Sequence, residues 1–283
     1  MWAALLITLR EGLEAALVVA IVLAYLRQIG RRDRFRSVWL GVGGALGLST
    51  LAGVVAYFAL DGLEGDARRI TFGLVSLAAV AVLTWMIFWM RKQAVNIRKE
   101  LQAQVDRALE SGSTLALASV AFFAILREGL ETVLFMMAVL TGSSGLEVGL
   151  GGLLGLAGAV LLGYLIYQGG RRINLRRFFQ VTGMLIIVFA AGLFARGVAW
   201  LQEAGVLTTY LWPVWNLRDN DIVGRGTFAQ FLSGLLGWNP SPSIEELLAW
   251  ALYLIVAGWF FLSGTAGAPR PAAAAPESRT AGG

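Results

Sequence analysis

An all-α polytopic membrane protein with seven transmembrane helices is the fold class that the sequence predicts, on three observations. Of the 283 residues, 57% are hydrophobic and only 14% are charged, against roughly 25% charged in an average soluble domain. The mean hydropathy is +0.70, which suits a surface facing lipid. The apolar residues form unbroken runs, not the alternating segments of roughly ten residues that build a membrane barrel, so helices must satisfy the backbone.

Seven runs reach or approach the roughly 20 residues needed to cross about 30 Å of hydrocarbon. They lie at about 2–26, 38–60, 70–90, 115–140, 146–167, 178–200 and 246–263. The first begins Met1-Trp2-Ala3-Ala4 with no basic segment ahead of it and with Arg10 and Glu11 inside it. That pattern argues against a cleaved signal peptide. The second and fifth are glycine-rich: Gly41, Gly44, Gly47 and Gly151, Gly155, Gly158 recur at spacings that let helix backbones approach closely. Trp2, Trp39, Trp89, Trp200 and Trp250 fall near span ends, where tryptophan anchors at the headgroups. The seventh span is the shortest. Beyond it the Ala- and Pro-rich stretch 264–283 has too little to pack and is expected to be a disordered tail. Residues 1–263 therefore read as one transmembrane domain, with a first repeat at about 2–90, a second at about 115–200, and the helix at 246–263 added.

Orientation follows from Lys and Arg in the connections. Segments 27–37, 91–114, 168–177 and the tail hold sixteen of the 23 basic residues, whereas the opposite loops hold only Arg68, Arg69, Arg218 and Arg225. The first set is expected in the cytoplasm, placing the N-terminus outside and the C-terminus inside. An odd number of spans agrees.

Two copies of one charged pentapeptide interrupt this greasy background: Arg10-Glu11-Gly12-Leu13-Glu14 in span 1 and Arg127-Glu128-Gly129-Leu130-Glu131 in span 4. A charge at membrane depth costs several kcal/mol even on lenient insertion scales (about 2.5–3.5), so six in duplicate imply a polar site. Glu11 lies nine residues into span 1 and Glu128 thirteen residues into span 4, depths of roughly 14 and 20 Å at 1.5 Å per residue. The spans run in opposite directions, so the two motifs face each other near mid-membrane. Spans 1–3 and 4–6 then form an inverted-topology repeat, an arrangement that places transporter sites between the halves.

The geometry within each motif is informative. Arg10 and Glu14, like Arg127 and Glu131, are i,i+4 neighbours that share a face. Glu11 and Glu14 stand about 60° apart around the helix, as do Glu128 and Glu131, so both carboxylates of a pair line one cavity. Gly12 and Gly129 allow a neighbouring helix or an ion to come close. Four carboxylates against two guanidinium groups make a cage for a highly charged cation. The plainer alternative is a pair of buried Arg–Glu locks, but desolvation makes such locks poor stabilisers, and each motif carries a second carboxylate.

Composition narrows the chemistry. There is no Cys and no His, which removes disulfides, thiolate and imidazole ligands and the usual general base. A bound metal must be held by oxygen, which favours hard cations. No nucleophile–base arrangement supports a membrane enzyme, and the scattered Arg residues do not form a nucleic-acid face.

The paired R-E-G-L-E motifs resemble the signature of the oxidase-dependent iron transporters, the ferric iron permeases of fungal plasma membranes and bacterial inner membranes. The similarity extends through Thr84–Leu101 (TWMIFWMRKQAVNIRKEL), Phe178–Gly205 and the run Asn239-Pro240-Ser241-Pro242-Ser243. It implies that Glu11, Glu14, Glu128 and Glu131 conduct iron, with Arg10 and Arg127 as their partners. It also implies Fe(III) as transported substrate, no organic cofactor, and a separate ferroxidase or periplasmic iron-binding protein as partner. Homo-oligomerisation within the lipid bilayer is compatible with it. Related proteins with such motifs handle other metals, so Pb(II), Mn(II) or Ca(II) is the alternative cargo. On the outer face Asp61, Glu64 and Asp66, with Asp219 and Asp221, are candidates for collecting cations, although ordinary solvated loop acids are the plainer reading. Glu245 and Glu246 are expected to open span 7 near its positive helix end.

Overall fold

The structure is a computed structural model that describes residues 1–93, 97–167 and 175–266. Among these residues it is built from α-helices: α1 (Trp2–Gln28), α2 (Phe35–Asp61), α3 (Gly65–Gln93), α4 (Ile97–Glu110), α5 (Thr114–Leu140), α6 (Gly145–Tyr167), α7 (Leu175–Glu203), α8 (Thr227–Leu236) and α9 (Ile244–Ala266). The tail expected to be disordered lies outside the described residues beyond Ala266, as does the basic pair Arg171 and Arg172.

Each of the seven expected spans is a helix, and most run past the predicted ends. The extra turns of two of them carry acids: α3 has Asp66 in its first turn and α7 ends at Glu203. Among the described residues five helices (α2, α3, α6, α7 and α9) are long and apolar enough to cross a membrane. The other two long ones, α1 and α5, are 27 residues each, about 40 Å of helix. Their apolarity is broken by the three charges that each pentapeptide brings.

Two helices, α4 and α8, lie in segments that the sequence predicts as connections. In α4, Leu101, Val105 and Ala108 are buried and recur along one face, while Arg98 and Arg107 belong to the exposed side. Its 14 residues are too few to span. Tyr25 Oη donates to Asp106 Oδ1 at 2.6 Å and ties α4 to the end of α1. At the other end of the bundle α8 ends at Gly237, whose φ of 71° supplies a left-handed cap.

The helices pack in pairs: α1 on α6, α2 on α5, α3 on α7 and α1 on α5, with α9 against α7. Exchanging α1, α2, α3 for α5, α6, α7 maps the first four pairings onto themselves. Glycine makes the tightest of them possible. A Cβ on Gly155 would run into Thr8 Oγ1 and the α1 backbone, including Leu9 N at 2.8 Å, and one on Gly41 would meet the Ala118 carbonyl. Gly44, Gly151 and Gly158 are also packing positions, but Gly47 has nothing within 4 Å and faces outward. Within the motifs, Gly12 lies against Ala159 of α6 and Gly129 against Ser49 of α2, so both admit a helix rather than an ion.

The buried side chains form two apolar clusters. One joins Ile7 of α1, Phe135 of α5, Leu83 and Met86 of α3, and α7 residues such as Ile186. The other joins Val18 and Leu26 of α1, Val38 of α2, Val105 of α4 and Ile125 of α5. Along α1 the motif falls between Ile7 and Val18, and along α5 between Ile125 and Phe135. The charged pentapeptides thus occupy the seam between two apolar plugs.

Candidate functional site

Helix periodicity and the α1–α5 packing bring the two motifs together. One carboxylate oxygen from each of Glu11, Glu128 and Glu131 lies within 4.8 Å of the others. Glu11 Oε2, Glu128 Oε2 and Glu131 Oε2 are buried and have no hydrogen-bond donor among the described residues. Three carboxylates this close repel one another unless protons or a cation neutralise them. A six-coordinate hard ion at about 2.1 Å from its oxygens places adjacent donors about 3 Å apart and opposite ones about 4 Å apart. Separations within 4.8 Å are of the order such an ion requires.

The arginines hold their carboxylates unequally. Arg10, 3% exposed, reaches Glu11 Oε1 at 3.0 Å and Glu14 Oε1 at 3.2 Å. The contact with Glu14 is the one that i,i+4 spacing predicts. The contact with Glu11 is not, because adjacent residues do not share a helix face; the long guanidinium arm turns back to make it. Glu14 lies outside the converging three, although its Oε1, ion-paired with Arg10, is also buried without a hydrogen-bond donor among the described residues. Arg127, with its side chain 35% exposed, reaches a single carboxylate among the described residues, Glu131 Oε1 at 2.9 Å.

Further residues complete the setting, and sequence reasoning missed their place in it. Arg10 also points its two terminal nitrogens at sulfur, Nη1 at Met86 Sδ (3.7 Å) and Nη2 at Met90 Sδ (3.2 Å). Arg127 Cζ stands 4.1 Å from the Trp89 ring centroid and 5.4 Å from that of Trp85. All four side chains come from α3, and the signal was the repeat Trp85-Met86-Ile87-Phe88-Trp89-Met90. Trp89, read from sequence as an interfacial anchor, lies under an arginine.

The outer acidic residues do not join this site. Asp61 ends α2, with Glu64 and Asp66 at the following turn. Asp66 is paired with Arg69 at 3.0 Å, and Asp219 is paired with Arg225. Asp221 is exposed in a turn organised by Asn220, whose Oδ1 accepts from Ile222 N and Val223 N. Glu246 and Ser243 form a reciprocal capping box: Glu246 N donates to Ser243 Oγ at 3.1 Å, and Ser243 N donates to Glu246 Oε1 at 3.1 Å. Asn239 Nδ2 also donates to Glu246 Oε2, so the Asn239–Ser243 run anchors the start of α9.

Residues 1–268 match the iron permease FTR1 family. The chain is 37% identical over 259 residues to the ferrous iron permease EfeU of Escherichia coli O157:H7, covering 91% of this chain and 94% of that protein. The same values hold for the ferrous iron permease EfeU of Shigella sonnei. For the one from Yersinia pestis the identity is 34%, covering 91% and 92%. No solved structure matches the chain.

Proposed function

The chain belongs to the iron permease FTR1 family, and from that membership we propose that it imports iron across the cytoplasmic membrane through the carboxylate cluster of α1 and α5. It is a multi-pass membrane permease and not an enzyme. The observation that carries the site is the convergence of Glu11, Glu128 and Glu131, with three donor-free buried oxygens, at the seam between two apolar clusters.

In this reading α1, α2, α3, α5, α6, α7 and α9 span the membrane. The basic ends around α4 lie in the cytoplasm and α8 lies outside. The pairing pattern, unchanged when α1–α3 are exchanged for α5–α7, supports an inverted repeat. One apolar cluster closes the path to each side, so the ion reaches the carboxylates by alternating access: one cluster parts while the other stays shut. Arg10 and Arg127 keep the four carboxylates, Glu14 included, from standing uncompensated when no cation is bound.

The iron is carried as Fe(III). Oxygen-only donors and three converging carboxylates favour a hard, highly charged ion, delivered by a separate ferroxidase or periplasmic iron-binding protein. The relatives, ferrous iron permeases by name, favour a second reading, Fe(II). Proteoliposomes offered radiolabelled Fe(III)–citrate with an Fe(II)-specific chelator present separate the two. Accumulation supports Fe(III); no accumulation, with ascorbate-reduced iron entering when the chelator is omitted, supports Fe(II). Competition by Mn(II), Pb(II) and Ca(II) in the same vesicles tests the metal. Entry of one of these, with iron excluded, would contradict iron as cargo.

A further inference from the structure

The segment Trp85-Met86-Ile87-Phe88-Trp89-Met90 of α3 presents two i,i+4 pairs on adjacent faces. The pair Met86 and Met90 meets Arg10 through both sulfurs. The pair Trp85 and Trp89, with ring centroids 5.8 Å apart and planes inclined by 24°, meets Arg127. One helix thus touches the arginine of both motifs, although the motifs are 117 residues apart. None of the four side chains is charged, and all are polarisable: an indole face attracts a guanidinium, and a thioether sulfur is a weak acceptor.

This matters because a metal cation and a guanidinium compete for the same carboxylates. A cation bound by Glu11 and Glu131 repels Arg10 and Arg127, which already contact those residues at 3.0 and 2.9 Å. Arg10 is buried and cannot turn to water. An arginine stranded without a partner is heavily penalised, and a carboxylate waiting for it elsewhere would simply build another salt bridge. An uncharged, polarisable acceptor holds the guanidinium without a fixed negative charge to attract the metal.

We propose that this α3 segment is the resting site of the two motif arginines, holding Arg127 on Trp85 and Trp89 and Arg10 on Met86 and Met90 so that their carboxylates can give them up when the metal binds. The Trp and Met side chains are positioning residues; they need not touch the ion. The inference rests on the carboxylate cluster being the transport site. It predicts that losing the indole face leaves Arg127 held by Glu131 without a second support, a stronger competitor of the metal, raising KM and leaving the maximal rate largely intact.

The test is the concentration dependence of radiolabelled iron uptake by the full chain, in cells lacking their own iron importers, at matched membrane abundance. Trp89→Leu is expected to raise KM severalfold, and Trp89→Phe, which restores a π face, to bring it back most of the way. A wild-type KM in Trp89→Leu, or a rise that Trp89→Phe does not reverse, would overturn the proposal. Should Trp89→Leu not reach the membrane, Met90→Leu, close to isosteric, makes the same test on Arg10: a raised KM supports the proposal and a wild-type KM overturns it. Wild type and Glu11→Gln run alongside. If wild type imports iron and Glu11→Gln does not, an unaffected Trp89→Leu removes the α3 resting site alone. If wild type imports none, the proposed function fails first.

Discussion

At the residue scale, the site is a balance between buried charges that need one another and a cation that must displace some of them. Arg10 sits between Glu11 and Glu14 at 3.0 and 3.2 Å with almost no exposure. Removing it leaves two carboxylates uncompensated away from water, so Arg10→Gln should cost about 3–5 kcal/mol of stability. Thermal unfolding of the detergent-solubilised protein would show this as a clear loss, and an unchanged transition would mean that water already reaches the pair. The i,i+4 contacts of both motifs were legible in the sequence because helix geometry dictates them. The turn of Arg10 back to Glu11 was not, nor was the separation of Glu14 from the converging three. Both depend on how α1 rotates against α5 and α3, which no spacing rule contains. The outer acids show the opposite limit: Asp66 and Asp219 are conspicuous in sequence, but each has a nearby arginine in the fold.

At the scale of helices, small residues decide which surfaces meet. Gly155 lies under Thr8 and the α1 backbone, whereas Gly47, equally suggestive in sequence, has open space above it. Gly155→Val should therefore abolish the folded protein by forcing α6 off α1. Gly47→Ala should be tolerated and add up to about 1 kcal/mol through helix propensity. Folded yield by size-exclusion chromatography distinguishes them, and equal yields would contradict the α1–α6 contact. The long helices were readable because their apolar runs are long and nearly unbroken. The helix α4 escaped because only Leu101, Val105 and Ala108 mark its face, and in a stretch of 14 residues that signal resembles a polar connection. The capping box of Ser243 and Glu246 was present in sequence as S-x-x-E, but the run of acids beside it drew the reading toward the helix dipole.

For the molecule as a whole, the account requires that the α4 end face the cytoplasm and the α8 end face outward. The absence of cysteine makes this directly measurable. Ser111→Cys, at the turn between α4 and α5, should react with a membrane-impermeant maleimide only after the cell is opened. Asp219→Cys, in the loop before α8, should react in intact cells. The reverse pattern would invert the topology and with it the direction of the proposed pathway. Packing alone gives the exchange of α1–α3 with α5–α7; the labelling tests the direction proposed from the basic residues in the connections.

The most direct test of the central claim is iron uptake by Glu11→Gln, Glu128→Gln and the double variant, in cells without their own iron importers, with each protein inserted at wild-type abundance. Replacing either carboxylate removes an oxygen charge from the cluster without changing its shape much. The account predicts loss of uptake in each single variant and no further loss in the double. Wild-type uptake in correctly inserted Glu11→Gln and Glu128→Gln would contradict it, and would leave the paired motifs as a lock between α1 and α5.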